Sequence, residues 1–160
     1  DQTSAAYSAL TTTLAALPGI SSVELGGSET TIRANDEQTI AAALELITGS
    51  EDANTEFYIE GPADTMFVRV LRGAQHKEGT PEAFQQMLDA RETISHAGFV
   101  ALIVYSDSIR MRFDLDDTAT RTDIGNARTA LLRVIEQSPI DEISLQPPYP
   151  TPWEELKGTP

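Results

Sequence analysis

Phe99-Val100-Ala101-Leu102-Ile103-Val104-Tyr105 followed by Ile109-Arg110-Met111-Arg112-Phe113-Asp114-Leu115 is the stretch on which the fold turns. The first run is almost unbroken in β-branched and aromatic residues, the composition of a buried strand. The second alternates strictly, with Ile109, Met111, Phe113 and Leu115 set against Arg110, Arg112 and Asp114, so one of its faces is buried and the other is wet. Ser106-Asp107 between them reads as a hairpin turn.

Outward from this hairpin the signals are helical. Upstream, Thr80 reads as a cap with Pro81 at the first helical position, and Phe84, Met87, Leu88 and Ile94 supply an apolar face. Downstream, Thr122 or Asp123 opens a helix with Ile124, Leu131, Val134 and Ile135 inward, and residues 143–146 form a short strand. The same order stands earlier in the chain. Tyr7, Leu10, Leu14 and Leu17 make one helical stripe that Pro18-Gly19 stops. Strands over 20–25 and 30–34 follow, joined by Gly26-Gly27-Ser28, and Asp36 caps a helix carrying Ile40, Leu44 and Ile47 that ends at Gly49. Residues 57–60 and 65–71 read as a strand pair around Gly61-Pro62. Moving the first copy 77 positions lays Leu17-Pro18-Gly19-Ile20 over Ile94-Ser95-His96-Ala97 and Thr31-Ile32-Arg33 over Ser108-Ile109-Arg110.

From Asp64 the order is β-α-β-β-α-β, the split βαβ or ferredoxin-like arrangement. The expected architecture is α+β: two tandem ferredoxin-like (βαββαβ) units, the first lacking its opening strand, with antiparallel sheets and helices on one face. The units span 1–62 and 63–146. A proline-rich tail over 147–160 is expected to run extended, anchored on the domain by Trp153 or linking to something beyond. The stretch from Leu14 to Leu25 resembles the helix-to-strand passage of heavy-metal-associated domains, which implies the same ferredoxin-like fold. The cysteine pair with which that family binds metal has no counterpart in a chain without cysteine, so only the fold is carried over.

Composition narrows the function. The 160 residues carry 25 acidic and 11 basic side chains, a net charge of −14. Such a field repels phosphate backbones and anionic membranes, so no nucleic acid is expected as partner. The longest apolar run, 99–105, is far too short to cross a bilayer, so no direct membrane insertion is expected of this segment. Zero Cys removes disulfides, thiolate zinc sites and cysteine nucleophiles. The start at Asp1 and the Arg-rich cation set (nine Arg, two Lys) suggest a piece of a larger bacterial protein, exported or membrane-anchored, with an extracytoplasmic setting expected and a cytoplasmic one left open.

One segment carries a chemical motif. Phe113-Asp114-Leu115-Asp116-Asp117-Thr118 resembles the nucleophile motif of haloacid-dehalogenase-type phosphatases, which implies Asp114 as nucleophile and Asp116 as acid/base around magnesium. That reaction also needs a cation beside the phosphoryl group, and the one Lys after Thr118 is Lys157, in the tail. As a calcium loop the segment lacks both the turn glycine and the closing Glu. His76 reads as a loop residue and His96 as one near a helix end, neither at triad spacing from a nucleophile. No cofactor is expected.

Alternation along 66–71 turns Phe67, Arg69 and Leu71 away from Met66, Val68 and Val70. In the ferredoxin-like order this strand neighbours 109–115. Phe67, Arg69, Arg110 and Arg112 are then expected to meet on the open sheet face, a candidate site for a small anionic ligand, with Arg33 at the equivalent place in the first copy. The competing use of these arginines is pairing with the protein's own carboxylates. The functional expectation is a non-enzymatic binding or structural domain whose partner is another protein or the rest of its own chain. The alternative is a sensor of an anionic metabolite, since tandem ferredoxin-like units, as in amino-acid-binding regulatory domains, hold ligands between units. A magnesium-dependent phosphatase at the Asp114–Thr118 loop is the third reading.

Overall fold

A computed structural model describes residues 2–26, 29–50, 56–71 and 78–157. In chain order the elements are α1 (Gln2–Ala15), β1 (Ile20–Leu25), β2 (Glu29–Ala34), α2 (Glu37–Thr48), β3 (Glu56–Glu60), β4 (Met66–Val70), α3 (Thr80–Thr93), β5 (Ala97–Val104), β6 (Ile109–Leu115), α4 (Arg121–Gln137), β7 (Glu142–Gln146) and β8 (Glu154–Lys157). A single 3-10 turn, Pro62–Asp64, joins β3 to β4. The protein is α+β, as its periodicities require.

The eight strands form one sheet whose spatial order is the chain order, β1 to β8. Hairpin mates pair antiparallel, and strands joined through a helix (β2 with β3, β4 with β5, β6 with β7) pair in parallel. The expectation of antiparallel sheets is therefore corrected: the sheet is mixed. The strand order also departs from the ferredoxin-like one, which would set β6 against β4. Here α3 returns the chain to the adjacent position, so β5 lies between them. The expected units 1–62 and 63–146 share one sheet and one core, and β4 pairs on both its sides.

Strict alternation sends one side of each strand towards the helices. A single cross-strand row, Val23, Ile32, Ile59, Val68, Leu102, Met111, Ile143 and Leu156, runs beneath them through all eight strands. From Ile32 to Leu156 its members are buried, each side chain contributing about 1.5–3 kcal/mol relative to exposure. The helices neighbour one another in sequence, α1 on α2, α2 on α3 and α3 on α4, so all four lie on that face.

This layout fixes the hands of the crossovers. Successive parallel crossovers start from strands of opposite direction, advance the same way along the sheet and keep their helices on the same side. The crossover through α3 therefore has the opposite hand to those through α2 and α4. At least one of the three departs from the right-handed rule.

The two halves share their local corners. Gly19 (φ 94) and His96 (φ 68), 77 residues apart, both take left-handed backbone. Gly19 O accepts from Asn35 N and His96 O from Asp116 N, each at 2.8 Å. A bulge follows each, between Ile20 and Ser22 and between Ala97 and Phe99. Past the corner the second hairpin is longer. Ser22 faces Arg33 as Phe99 faces Asp114, so Arg33 matches Asp114 rather than Arg110, a correction to the simple offset.

Asp36 caps α2, accepting from Thr39 N, and Gly49 closes it, as read. The cap of α3 is Gly79 (φ 97), with Thr80 the first helical residue. The cap of α4 is Thr120, in a capping box with Asp123. The tail turns at Pro148, whose carbonyl accepts from Thr151 N at 3.1 Å, then adds β8 to the sheet edge. Trp153 is 54% exposed and is no anchor; the β7 pairing and a two-fold contact from Arg128 to Glu154 (2.9 and 3.0 Å) hold the segment. His76 and the Gly27-Ser28 turn lie outside the described residues.

Candidate functional site: the open face of the sheet

With the four helices on one side, the alternate residues of the strands face away from them. Two further cross-strand rows span the sheet. One runs Glu24, Thr31, Tyr58, Arg69, Ile103, Arg110, Glu142, Lys157; the other runs Ser22, Arg33, Glu60, Phe67, Ala101, Arg112, Ser144, Glu155. Phe67, Arg69, Arg110 and Arg112 all stand on this face. They do not converge as the ferredoxin-like order would have them. Ile103 separates Arg69 from Arg110 and Ala101 separates Phe67 from Arg112, about 9–10 Å across two strand spacings.

Each arginine meets a carboxylate of its own chain. Arg69 donates from Nε to Glu56, and this hydrogen bond raises its pKa. Arg112 donates to Asp114 at 2.7 and 2.9 Å and to Gln146 Oε1 at 2.9 Å; the Asp114 bond raises its pKa likewise. Arg33 lies 3.2 Å from Glu60. Arg110 has the loosest pairing, 3.7 Å from Glu142, with its side chain 50% exposed. The Glu142 carboxyl is pushed up by burial first and by the adjacent Glu155 second, against the opposing pull of Arg110 and Lys157.

Aromatic rings floor the charges. The Arg69 guanidinium sits 5.5 Å from the centre of the Tyr58 ring and that of Arg110 5.3 Å from Tyr105. Tyr58 packs on Phe67 with ring centres 5.8 Å apart. Ala101, at 3% exposed, is covered by its neighbours, although among the described residues nothing from a second layer lies over it. The surface is a half-buried aromatic and aliphatic strip flanked by neutralised guanidinium groups.

A second cluster was invisible in the sequence. His96 Nδ1 lies 2.8 Å from Thr118 Oγ1 and 3.3 Å from Asp116 Oδ1, while Nε2 lies 3.5 Å from Asp123 Oδ2. The 77-residue offset marks His96 as the counterpart of Gly19, but only the fold brings the β6–α4 loop against it. The two ring nitrogens point apart, so one ion could not touch both. Among the described residues no group of three His, Cys, Asp or Glu side chains is placed to hold a metal. Within the Asp114–Thr118 loop, Asp114 stands on the open face with both oxygens taken by Arg112, and Asp116 binds Thr118 and His96.

No family model, curated protein or solved structure matches this chain.

Proposed function

We propose that this chain is a non-enzymatic binding domain whose open sheet face contacts a protein partner, either a separate chain or a further part of a longer exported or membrane-anchored one. The observation that carries the reading is the half-buried strip of Tyr58, Phe67, Ile103 and Tyr105, over which no second layer lies among the described residues. Arg33, Arg69, Arg110, Arg112 and Lys157, five of the eleven cations, stand on that face among carboxylates. It is thus close to charge balance on a strongly acidic molecule. Aromatic rings and arginines on a flat surface are the residues that dominate protein interfaces.

A second reading, a small anionic ligand, is favoured at one place. Arg110 is half exposed, loosely paired and stacked on Tyr105. A carboxylate ligand there would compete with Glu142, which stands 3.7 Å from the guanidinium.

A thermal-shift screen of organic acids, amino acids, nucleotides and divalent metals separates the readings. A ligand at one hundred times its dissociation constant adds about 2.7 kcal/mol, well within detection. A stabilising anion whose effect disappears in Arg110→Ala supports the second reading, and silence across the set supports the first. Magnesium-dependent phosphate release abolished by Asp114→Asn would overturn both.

A further inference from the structure

Among the described residues the sheet ends in two free edges, β1 and β8, and its interior shows what such edges do in this protein. At the middle of the sheet, β4 closes the first α-β-β-α-β-β half and pairs in parallel with β5, which opens the second, over five residue pairs from Met66–Val100 to Val70–Val104. The helix α3 lies over this joint against α2, with Arg91 paired to Glu37. In the second half β8 holds the place of β4, and in the first half β1 holds the place of β5. Each free edge is thus the counterpart of a strand that, inside the molecule, is paired with the counterpart of the other.

We propose that a second copy of this chain docks head to tail, with β8 of one molecule pairing in parallel with β1 of the next. Facing rules restrict the register to steps of two residues, because a slip of one would turn every side chain to the wrong side. The register that continues the buried row from one copy into the next sets Leu156, its last member, opposite Val23, its first. Lys157 then falls opposite Glu24 on the open face, an attractive cross-strand pair, and Glu155 falls opposite Ser22. The helical layer has a matching vacancy. Arg121 opens α4 as Glu37 opens α2, but its flank faces a groove lined by Ile124, Arg128 and the 150–152 loop where α2 has α3. The α1 helix of the neighbour lies over that side.

Three charges in the four residues of β8 keep unrelated strands off this edge. Six-residue β1 carries one charged side chain, Glu24, and a bulge between Ile20 and Ser22, which leaves its later residues, from Ser22 to Leu25, the regular part of the edge. The contact uses two different surfaces, so assembly runs on into a filament unless the rotation between copies closes a ring. The net charge of −14 opposes it, and salt therefore strengthens it by screening beyond about 8 Å at physiological ionic strength. The proposal concerns the edges and leaves the open face free, so its failure leaves the preceding reading standing.

A chain without cysteine makes the test clean. Ser22→Cys and Glu155→Cys proteins are mixed under mild oxidation; opposite positions on paired strands fall within disulfide reach. The expected result is a cross-linked dimer of unlike variants in excess over either like pair, and a ladder of multimers from the double variant. Cross-links confined to like pairs, or none, overturn the proposal. Sedimentation of the unmodified protein provides a check free of mutation. Growth of multimers with concentration and with salt from about 0.05 to 0.5 M supports it, and a monomer throughout, up to roughly millimolar protein, overturns it.

Discussion

Arg112 closes on Asp114 two positions along the same strand, Nε to Oδ1 at 2.7 Å and Nη2 to Oδ2 at 2.9 Å. A pair this complete holds the guanidinium in the plane of the open face, yet both side chains keep contact with water. Asp114→Asn is expected to lower stability by less than about 1 kcal/mol in urea denaturation. A loss of several times that would mean the pair anchors the sheet rather than dressing it.

Neighbouring residues on β5 test which face holds the core. Leu102 is fully buried under the helices, while Ile103 is half-buried on the open side. Leu102→Ala is expected to cost about 3 kcal/mol through lost burial and a residual cavity. Ile103→Ala should cost markedly less by the same denaturation assay. Equal losses would mean that something covers the open face in solution.

Gly19 has φ 94, and a Cβ there would lie 2.2 Å from Thr39 Oγ1. That hydroxyl, with one proton to share, lies 3.0 Å from Pro18 O and 2.8 Å from Asp36 Oδ1, so it cannot yield without disturbing the contacts around the cap of α2. Gly19→Ala should destabilise by more than about 1 kcal/mol and lower the melting temperature. A neutral result would show that the corner relaxes more freely than its hydrogen bonds suggest.

Carboxyl titration carries opposite signs at different sites. Hydrogen bonds from Thr39, Thr118 and Thr120 hold Asp36, Asp116 and Asp123 below the ordinary aspartate value. The stability they add is present above the unfolded value and drains away as pH falls through the depressed folded ones. Glu142 is raised instead, so its contribution is complete below the unfolded glutamate value and is lost as pH rises through the folded one. Side-chain carboxyl NMR should place the three aspartates below and Glu142 above their ordinary midpoints, and Arg110→Ala should move Glu142 higher still. A Glu142 midpoint indifferent to that substitution would sever the pair.

The faces were legible and the order was not. Period-two alternation along 66–70 and 109–115 assigned Phe67, Arg69, Arg110 and Arg112 to the open side, because a strand leaves a side chain only two choices. Nothing in those residues says which strand lies next door. The length of a helix is compatible with returning to an adjacent position or skipping one, and the ferredoxin-like order assumed the skip. Glu154–Lys157 escaped notice because three charges in four residues read as solvent, although Leu156 is buried and the strand is held by its pairing with β7 and by Arg128. Thr80 was read as a cap on composition, whereas the left-handed turn that begins α3 requires the backbone of Gly79.

The identity of spatial and chain order has a consequence during synthesis. Every strand from β2 onward lies beside the strand made immediately before it. No emerging segment has to wait for a partner still to be translated, or be inserted between strands already joined. Loop closures stay short, which favours fast folding for a sheet of this width. The growing edge is at each moment the newest strand, and the nascent chain can lay down its sheet in the order in which it leaves the ribosome.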